Sequence, residues 1–367
     1  MKTIALAANG EGFGHASRMV SLVQSLQYSY RLVLYAPASI QAFLLEKLDG
    51  KTPETLQIRT IPSLQFAKVG EGIKYFRTLK RNLPILLSLR SRLAILRNQL
   101  RSDSVDVLIS DFEPFSTWAA KALNIPVLQI NHPGVVLRSS SIQLDALLAK
   151  LVAVLMMGAY TKRQLVSFYD GDVGPIIRPQ LVAKPKSCDD FILVYVKKEY
   201  RKLVLDALDA IGNISYRVYP DSGSALDYES ALVSCKAVIS SAGHQTISEC
   251  MFLGKPLFAI PQRGQFEQRL NADRLQQSGY GRHGRLWRLE RQLRTFLAEV
   301  EAGKYPYKKE VAWMLLKTDD WTERLHNRIQ NFINYSPASR IIPIDAIVLD
   351  QWLANTPKSQ IQACVES

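Results

Sequence analysis

Residues 238–279 carry the sequence VISSAGHQTISECMFLGKPLFAIPQRGQFEQRLNADRLQQSG, in which apolar runs alternate with small residues and helix patterns. The first apolar run leads through small residues to Gly243, and a helix pattern follows as far as Phe252. A second predicted strand, residues 257–260, leads into a further element that carries Asn271. Small residues between a strand and a helix let a ligand approach the backbone, and a helix N-terminus offers unpaired N–H groups to phosphate. The segment therefore predicts a site for a nucleotide diphosphate and its ribose, as in a sugar nucleotide.

Several motif positions follow one another through this segment. They are Gly243, Thr246, Glu249, Gly254-Lys255-Pro256, Pro261, Gln265-Phe266-Glu267-Gln268, Asn271-Ala272 and Gly279. With these positions the segment resembles the donor-binding half of GT-B glycosyltransferases, in the branch that contains the N-acetylglucosaminyltransferase of lipid II synthesis and its relatives. Such a series is far more specific than a single glycine motif. The resemblance implies an α/β fold with two Rossmann-like parallel-sheet domains facing a cleft.

The same resemblance implies donor-binding roles for three groups of residues. Glu249, on the predicted helix, would accept hydrogen bonds from the ribose hydroxyls of the donor. The loop residues Gln265, Glu267 and Gln268 would contact the hydroxyls of the donor sugar. The turn and the helix start would bind the pyrophosphate, through Ser241, Ala242, Gly243, His244, Gln245 and Thr246.

A second glycine-rich loop follows the first predicted strand. Residues 9–15 carry Asn-Gly-Glu-Gly-Phe-Gly-His between an apolar run and a helix pattern. The spacing is G-x-G-x-G, and the next strand ends in Ala36-Pro37 with no acidic residue for an adenosine ribose, which argues against a dinucleotide site. No Lys-Ser or Lys-Thr pair follows the glycines, so a P-loop is excluded. The loop instead resembles the first loop of the same glycosyltransferases, and Gly12 and Gly14 would face the cleft and the acceptor.

The alternation of apolar runs with helix-length segments predicts parallel α/β layers. Predicted strands lie near residues 3–8, 31–36, 56–61, 105–110, 126–130, 191–196, 214–219, 236–240 and 257–260. Predicted helices lie near 15–27, 39–48, 72–101, 115–123, 142–168, 199–211, 226–234, 244–253 and 266–277. The chain is long enough for two domains of roughly 150 residues each, and turn-forming residues cluster at Asp170–Pro175. We therefore predict an acceptor-side domain over residues 1–172, a nucleotide-sugar domain over 173–335, and a tail over 336–367 that no motif places.

The composition is that of a globular protein, with 47% hydrophobic and 22% charged residues. The cysteines have neither paired nor metal-ligand spacing, and they are Cys188, Cys235, Cys250 and Cys364. Buried thiols in a reducing cytoplasm fit this pattern. The first predicted strand begins at Thr3, which leaves no room for a signal peptide and again predicts a cytoplasmic location.

The net charge of +13 is unevenly distributed along the chain. The segment from Lys74 to Arg101 contains eight basic residues and no acidic one, with leucines between the charges. Such a basic amphipathic segment suits an anionic membrane surface, where each nearby cation contributes about 1 kcal/mol. A solvated helix face over the core of the first domain is the alternative interpretation. Nucleic acid is not expected as a partner, because the chain has no recognisable nucleic-acid module.

Sugar transfer needs a base for the acceptor hydroxyl and a positive environment for the departing diphosphate. In GT-B folds helix dipoles and side-chain donors meet the second need, so the resemblance implies neither a metal nor another cofactor. No cluster of His and Cys with metal-ligand spacing appears in the sequence. His15 is one candidate base, because imidazole titrates near neutrality. Asp111 and Glu113, after the strand near 105–110, are the carboxylate candidates, and a carboxylate base would need a raised pKa.

Each candidate also has a structural interpretation. Asp111 could cap the helix that starts near Phe115, and Glu113 could belong to its first turn. His15 could serve only the start of its helix. His132, after the strand near 126–130, faces the expected cleft on the acceptor side, with a turn residue as the alternative. We place His15 ahead of Asp111 as the base.

The sequence thus predicts an inverting glycosyltransferase that moves N-acetylglucosamine or a related hexose from a UDP-sugar to a lipid-linked or envelope glycan. It would act in the cytoplasm, at the inner face of the cell membrane. Inversion is carried over from the resemblance. Two alternatives remain open. One is a non-hydrolysing UDP-sugar epimerase on the same scaffold, which would need several clustered carboxylates, and the other is a nucleotide-sugar-binding protein without turnover.

Overall fold

The computed structural model describes residues 1–48, 56–64, 68–69, 72–73, 75–183, 187–219, 227–305 and 318–335. The predicted tail, residues 336–367, and the first residue of the basic segment, Lys74, lie outside the described residues. Within the described part the chain forms two parallel β-sheets with helices packed on their faces. This arrangement confirms the predicted α/β class, and each predicted strand overlaps an observed one.

The first half of the chain builds the larger sheet. Its strands are β1 (Thr3–Ala8), β2 (Arg31–Ala36), β3 (Gln57–Thr60), β6 (Val107–Asp111), β7 (Val127–Asn131) and β8 (Lys162–Leu165). They are parallel and lie in the order β3-β2-β1-β6-β7-β8, while β4 (Lys68–Val69) and β5 (Gly72–Ile73) form a separate antiparallel ribbon. The helices are α1 (Phe13–Leu26), α2 (Ala38–Leu48), α3 (Tyr75–Leu87), α4 (Leu89–Ser102), α5 (Pro114–Lys121) and α6 (Leu144–Met157), with a 3-10 helix at Pro133–Arg138.

The second sheet is built from the C-terminal half. Its strands are β9 (Ile192–Tyr195), β10 (Tyr216–Val218), β11 (Ala237–Ser241), β12 (Leu257–Ile260) and β13 (Gly281–His283), parallel and in the order β10-β9-β11-β12-β13. The helices are α7 (Pro179–Ala183), α8 (Lys198–Ile211), α9 (Tyr228–Ser234), α10 (His244–Leu253), α11 (Phe266–Gln277), α12 (Leu289–Glu301) and α13 (Thr318–Tyr335).

Strand β1 shows why the sheets form from continuous apolar runs. Ile4 and Leu6 pack into the core under α1 and α2, while Ala5 and Ala7 pack into the core on the opposite face. A strand that is covered on both faces needs apolar residues at every position, as parallel sheets do. The register pairs Ala8 with Asp111, so β1 and β6 end side by side at one edge of the sheet. Ligands of open α/β sheets bind at such an edge.

Helix α13 returns to the first sheet. Ile329 and Phe332 are buried in the core that also contains Ile4 of β1. The Lys2 ammonium donates to the carbonyl of Ile333 at 2.6 Å. The boundary between residues 172 and 173 stays a prediction, but α13, which lies in the range predicted for the second domain, packs against the first.

Two helix predictions are wrong in their extent. The predicted helix 142–168 ends at Met157, because Gly158 has a φ of 62° and a Cβ there would lie 2.1 Å from Oγ1 of Thr117. The chain then forms β8 instead of continuing as a helix. The predicted helix 72–101 is two helices that meet at Ser88, four residues after Pro84.

Candidate functional site

A cavity of about 600 Å³ lies between the two sheets, at the carboxyl ends of their strands. The first sheet with its helices and loops contributes Asn9, Glu11, Gly12, Phe13, Gly14, His15, Arg18, Phe112, His132 and Pro133. The second contributes Tyr195, Val196, Lys197, Lys198, Arg201, Ser240, Ser241, Gly243, His244, Gln245, Thr246, Gln265, Glu267 and Gln268. The cavity therefore joins the two glycine-containing loops that are far apart in the sequence.

Most of the residues predicted from the sequence meet at this cavity. Those that line it are Gly12, Gly14, His15, His132, Ser241, Gly243, His244, Gln245, Thr246, Gln265, Glu267 and Gln268. Four predicted residues do not line it, namely Asp111, Glu113, Ala242 and Glu249. Ala242 is fully buried in the core of the second domain, so only its backbone is close to the predicted pyrophosphate site. The other three are buried carboxylates, and each has its own partners.

Two helices begin at the cavity from opposite walls. α1 begins at Phe13 after Gly12, whose φ of 83° lies in the region that favours glycine. α10 begins at His244 on the other wall, and a Cβ placed on Gly14 would lie 3.7 Å from the Cβ of Gln245. The first N–H groups of a helix have no partner within it, and the N-terminus carries partial positive charge. The two helix starts thus present the positive ends of their dipoles to the same cavity.

Three basic side chains that were not among the residues predicted from the sequence add to this positive charge. Lys197, Lys198 and Arg201 line the cavity at the start of α8. Cations in the first turn oppose the dipole of a helix, because the N-terminus already carries positive charge. Two lysines directly after a predicted strand, at the start of a helix, therefore indicate an anion bound nearby.

His15, Asp111 and Arg18 form one hydrogen-bonded group at the cavity wall. Nδ1 of His15 lies 2.8 Å from Oδ1 of Asp111. Arg18 donates from Nε to Oδ2 of Asp111 at 2.7 Å and from Nη2 to Oδ1 at 2.9 Å. Asp111 ends β6 and His15 lies in the first turn of α1, so the pairing of β1 with β6 brings them together. The two residues that the sequence offers as alternative bases are neighbours in one unit.

The charge of Asp111 is set by this group. Asp111 is 4% exposed, and burial alone would raise its pKa. Arg18 and His15 beside it outweigh burial, so the pKa of Asp111 lies below its usual value. Asp111 is therefore ionised at neutral pH, which is the opposite of the raised pKa that a carboxylate base would need.

Glu113 caps a helix and does not reach the cavity. Its Oε1 accepts from the backbone N–H of Phe115 at 2.7 Å, and its Oε2 accepts from that of Ser116 at 2.8 Å. Burial raises the pKa of Glu113 to about 7, against the effect of these hydrogen bonds. The prediction of Glu113 as a catalytic residue is not supported by this placement, because both oxygens serve the N-terminus of α5.

His132 and His244 stack across the cleft, with ring centroids 3.6 Å apart and planes at 14°. Nε2 of His132 lies 3.0 Å from Oδ1 of Asn271, and Nε2 of His244 lies 3.2 Å from Oγ of Ser248. Burial lowers the pKa of His132 to about 3 and also lowers the pKa of His244. Both rings are therefore neutral at physiological pH. Their stacking forms a contact between the two domains, with His132 on the predicted acceptor side.

Glu249 is 1% exposed and bound to Arg178. Arg178 donates from Nε and Nη2 to the two oxygens of Glu249, each at 2.7 Å, and from Nη1 to Glu229 at 2.5 Å. Gln245, which lines the cavity, also donates to Glu249, at 2.8 Å. The ribose-binding role that the resemblance implies for Glu249 would thus require exchange of Arg178 for the ribose hydroxyls.

Glu267 lies in the first turn of α11 and lines the cavity. Its carboxylate is partly buried and lies 3.7 Å from Nε2 of His132. Burial raises the pKa of Glu267, and the nearby His15 and Arg18 oppose that rise. Gln268 accepts from the backbone N–H of Gln262 at 2.8 Å, which fixes the direction of its amide.

Within the described ranges, no group of three or more His, Cys, Asp or Glu side chains is placed to hold a metal ion. Asp170-Gly171-Asp172 has the Asp-x-Asp spacing, but its carboxylates pair with Arg274 and Arg138. Cys235 and Cys250 are buried free thiols. Among the helices of the described part, none is long and apolar enough to cross a membrane. Metal independence stays a prediction.

The family model described as glycosyl transferase family 1 matches residues 2–301 of the chain. Among curated proteins, none matches the sequence.

Solved glycosyltransferases have a similar fold at low sequence identity. The glycotransferase of kitacinnamycin has a TM-score of 0.62 at 15% identity, over 90% of this chain and 98% of its own. LpCGTa in complex with UDP has a TM-score of 0.62 at 16% identity, over 90% and 99%. MurG of Acinetobacter baumannii has a TM-score of 0.56 at 14% identity, over 90% and 100%. These likenesses confirm the predicted GT-B arrangement of two Rossmann-like domains.

Proposed function

This chain belongs to glycosyl transferase family 1, and we propose that it moves a sugar from a UDP-sugar to a hydroxyl of a lipid-linked or envelope glycan. The proposal includes inversion at the anomeric carbon, N-acetylglucosamine or a related hexose as the sugar, and no metal. One observation carries it: His15, bound to Asp111, shares a cavity with the N-terminus of α10. Transfer from a nucleotide sugar needs a base for the acceptor and an anion site for the diphosphate in the same cavity.

The donor diphosphate would bind at the start of α10. Gly243 and the first N–H groups of the helix supply backbone donors there, and Lys197 and Lys198 supply positive charge from α8. This environment would stabilise the negative charge that develops on the diphosphate as it leaves, so it can replace a metal ion in that role. A uridine nucleotide is supported by LpCGTa, a protein of similar fold that was solved in complex with UDP.

The reaction would begin with proton transfer to His15. Because a carboxylate only accepts, Nδ1 of His15 carries the proton that Asp111 binds, and Nε2 keeps its lone pair. Nε2 would take the proton of the acceptor hydroxyl while that oxygen bonds to the anomeric carbon and the bond from this carbon to the diphosphate breaks. The ionised Asp111 would stabilise the imidazolium that results, as an acidic partner does in other histidine bases.

The hexose would lie between the two domains, next to the loop before α11. Gln265, Glu267 and Gln268 line the cavity there. Since the oxygen of Gln268 is bound to the backbone, its amide nitrogen remains as a donor for a sugar hydroxyl. The Glu267 carboxylate can accept from two neighbouring hydroxyls, which suits recognition of a hexose.

The acceptor side of the proposal is supported by apolar surface next to the cavity. A smaller pocket of about 100 Å³ shares Phe112, Pro133, Gln265 and Glu267 with it and is otherwise lined by residues such as Val152 and Phe266. α3 and α4 expose large apolar side chains, namely Leu83, Leu86, Leu87 and Ile95. Exposed leucines among cations favour contact with an anionic lipid surface over a simply solvated helix face.

A donor-dependent assay separates the proposal from its alternatives. The purified chain is incubated with UDP-N-acetylglucosamine in EDTA, with and without a polyprenyl-diphosphate-linked sugar. The proposal predicts transfer only when the acceptor is present. An epimerase would convert the donor without the acceptor, which NMR detects. A binding protein would gain thermal stability from the donor, about 2.7 kcal/mol at 100 times Kd, without turnover.

A further inference from the structure

Arg18 contacts the His15–Asp111 pair in a way that the steps above do not use. It lies three residues after His15 on α1 and is 4% exposed, yet it lines the cavity. Its guanidinium binds both oxygens of Asp111, and Nη2 also lies 2.8 Å from Nδ1 of His15. A guanidinium only donates hydrogen bonds, whereas a carboxylate only accepts them. Nη2 of Arg18 and Nδ1 of His15 therefore lie side by side as two donors to the same Oδ1 of Asp111.

The protonation of Asp111 determines the tautomer of neutral His15. An ionised Asp111 accepts a proton from Nδ1, so Nε2 of the ring keeps its lone pair. A protonated Asp111 would instead donate to Nδ1, and the ring proton would lie on Nε2. In that second tautomer His15 has no lone pair for the acceptor hydroxyl. His15 can thus act as a base only while Asp111 stays ionised.

The surroundings of Asp111 show what keeps it ionised. The charged and titratable groups around this cluster are Arg18 and His15 on α1, Glu267 on α11, His132 after β7 and His244 on α10. His132 and His244 are neutral, and an ionised Glu267 would favour protonation of Asp111 by repulsion. His15 is neutral whenever it acts as a base. Among these groups, Arg18 alone supplies a permanent positive charge together with two hydrogen bonds to Asp111.

We propose that Arg18 is a positioning residue, whose two-point bond keeps Asp111 ionised and directed at Nδ1 of His15, so that Nε2 can act as the base. This inference rests on the proposed transfer function. The competing role is direct binding of the donor diphosphate, because Arg18 also lines the cavity. The two roles differ in kinetics: a positioning residue changes kcat and its pH profile, whereas a diphosphate ligand changes the donor KM.

Kinetics of three full-length variants test this role. Arg18→Met removes the charge and both bonds, Arg18→Lys keeps only the charge, and Arg201→Met removes a cavity cation from outside the His15 group. Arg18→Met should lower kcat by about 10²–10⁴-fold, the usual contribution of a general base, with the donor KM within about twofold of wild type. Its acid limb should move to higher pH, because burial of Asp111 is then uncompensated. Arg18→Lys should recover part of the kcat, and Arg201→Met should raise the donor KM without moving the acid limb.

A second readout does not depend on turnover. With ¹⁵N-labelled histidine rings, two-bond couplings in NMR spectra identify the nitrogen that carries the proton. The His15 signal, assigned by its loss in His15→Gln, should report a proton on Nδ1 in wild type at neutral pH. In Arg18→Met the share of His15 with its proton on Nε2 should rise. If wild type transfers no sugar at all, the proposed function fails, while the tautomer measurement still tests Arg18.

Clear results would overturn the inference. A folded Arg18→Met protein that keeps the proton of His15 on Nδ1, or whose only defect is a raised donor KM, would assign Arg18 to the diphosphate or to structure. If the melting curve shows that Arg18→Met does not fold, Arg18→Lys carries the test. Wild-type kcat and an unmoved acid limb in Arg18→Lys would contradict a role for the two-point bond.

Discussion

Replacing Glu249 with alanine should destabilise the protein as well as weaken donor binding. Glu249 is 1% exposed, and its two oxygens each accept a 2.7 Å hydrogen bond from the guanidinium of Arg178. In the variant, Arg178 would keep Glu229 as its only carboxylate partner. Removing one partner of a buried ion pair costs about 3–5 kcal/mol, because the other charge stays buried without it. Against a total stability of about 5–15 kcal/mol, this loss should lower Tm by roughly 6–20 °C for a domain of this size.

Thermal melting of Glu249→Ala beside Lys202→Ala measures this effect. Lys202 forms an exposed pair with Asp206, so its loss should cost at most about 1 kcal/mol. UDP titration of the same samples tests the ribose contact, whose loss should weaken binding by about 1–3 kcal/mol. A Tm for Glu249→Ala as close to wild type as that of Lys202→Ala would refute the ion-pair reasoning. Unchanged UDP affinity would leave Glu249 with a structural role alone.

Glu113→Gln should keep kcat near wild type, and a large loss of kcat would return Glu113 to the catalytic group. Burial raises the pKa of Glu113 from 4.5 to about 7, so the wild-type protein should lose about 3 kcal/mol of stability as the pH rises through this range. Glu113→Gln has no carboxyl group to ionise and should not show this loss. Urea unfolding of the wild-type protein and of Glu113→Gln at pH 5 and pH 8 measures the difference. Lys197→Met combined with Lys198→Met should raise the donor KM about tenfold or more, since two charged contacts are lost, and an unchanged KM in steady-state kinetics would exclude them from the diphosphate site. A variant in which four arginines of α4 are replaced should bind anionic vesicles more weakly in co-sedimentation, with its affinity for UDP unchanged. Its substitutions are Arg90→Gln, Arg92→Gln, Arg97→Gln and Arg101→Gln. Wild-type binding should itself fall as salt shortens the Debye length from ~10 Å at 0.1 M to ~3 Å at 1 M, and no vesicle binding by wild type at low salt would contradict the membrane proposal.

Strand and helix patterns predict most of the fold, because buried parallel strands are continuous apolar runs and surface helices are periodic. β8 escapes this reasoning because Lys162–Leu165 is an edge strand whose first residues are polar. The glycine loops and the segment from Ser241 are predictable as cavity walls, since carboxyl ends of parallel strands meet at one edge. The partners of the buried carboxylates could not be predicted from the sequence. Arg18 binds Asp111 and Arg178 binds Glu249 because the fold brings together residues that are far apart in the chain.

Activation of the acceptor hydroxyl by His15 is the central step of the proposed transfer from a UDP-sugar. The decisive measurement is steady-state transfer from UDP-N-acetylglucosamine to a lipid-linked acceptor, in EDTA, by wild type and His15→Gln at saturating donor. We predict turnover by wild type and a fall in kcat of about 10²–10⁴-fold in His15→Gln, with the donor KM within about twofold, because His15 acts on the acceptor. Wild-type kcat in a folded His15→Gln protein, or conversion of the donor to its epimer without acceptor, would contradict the account.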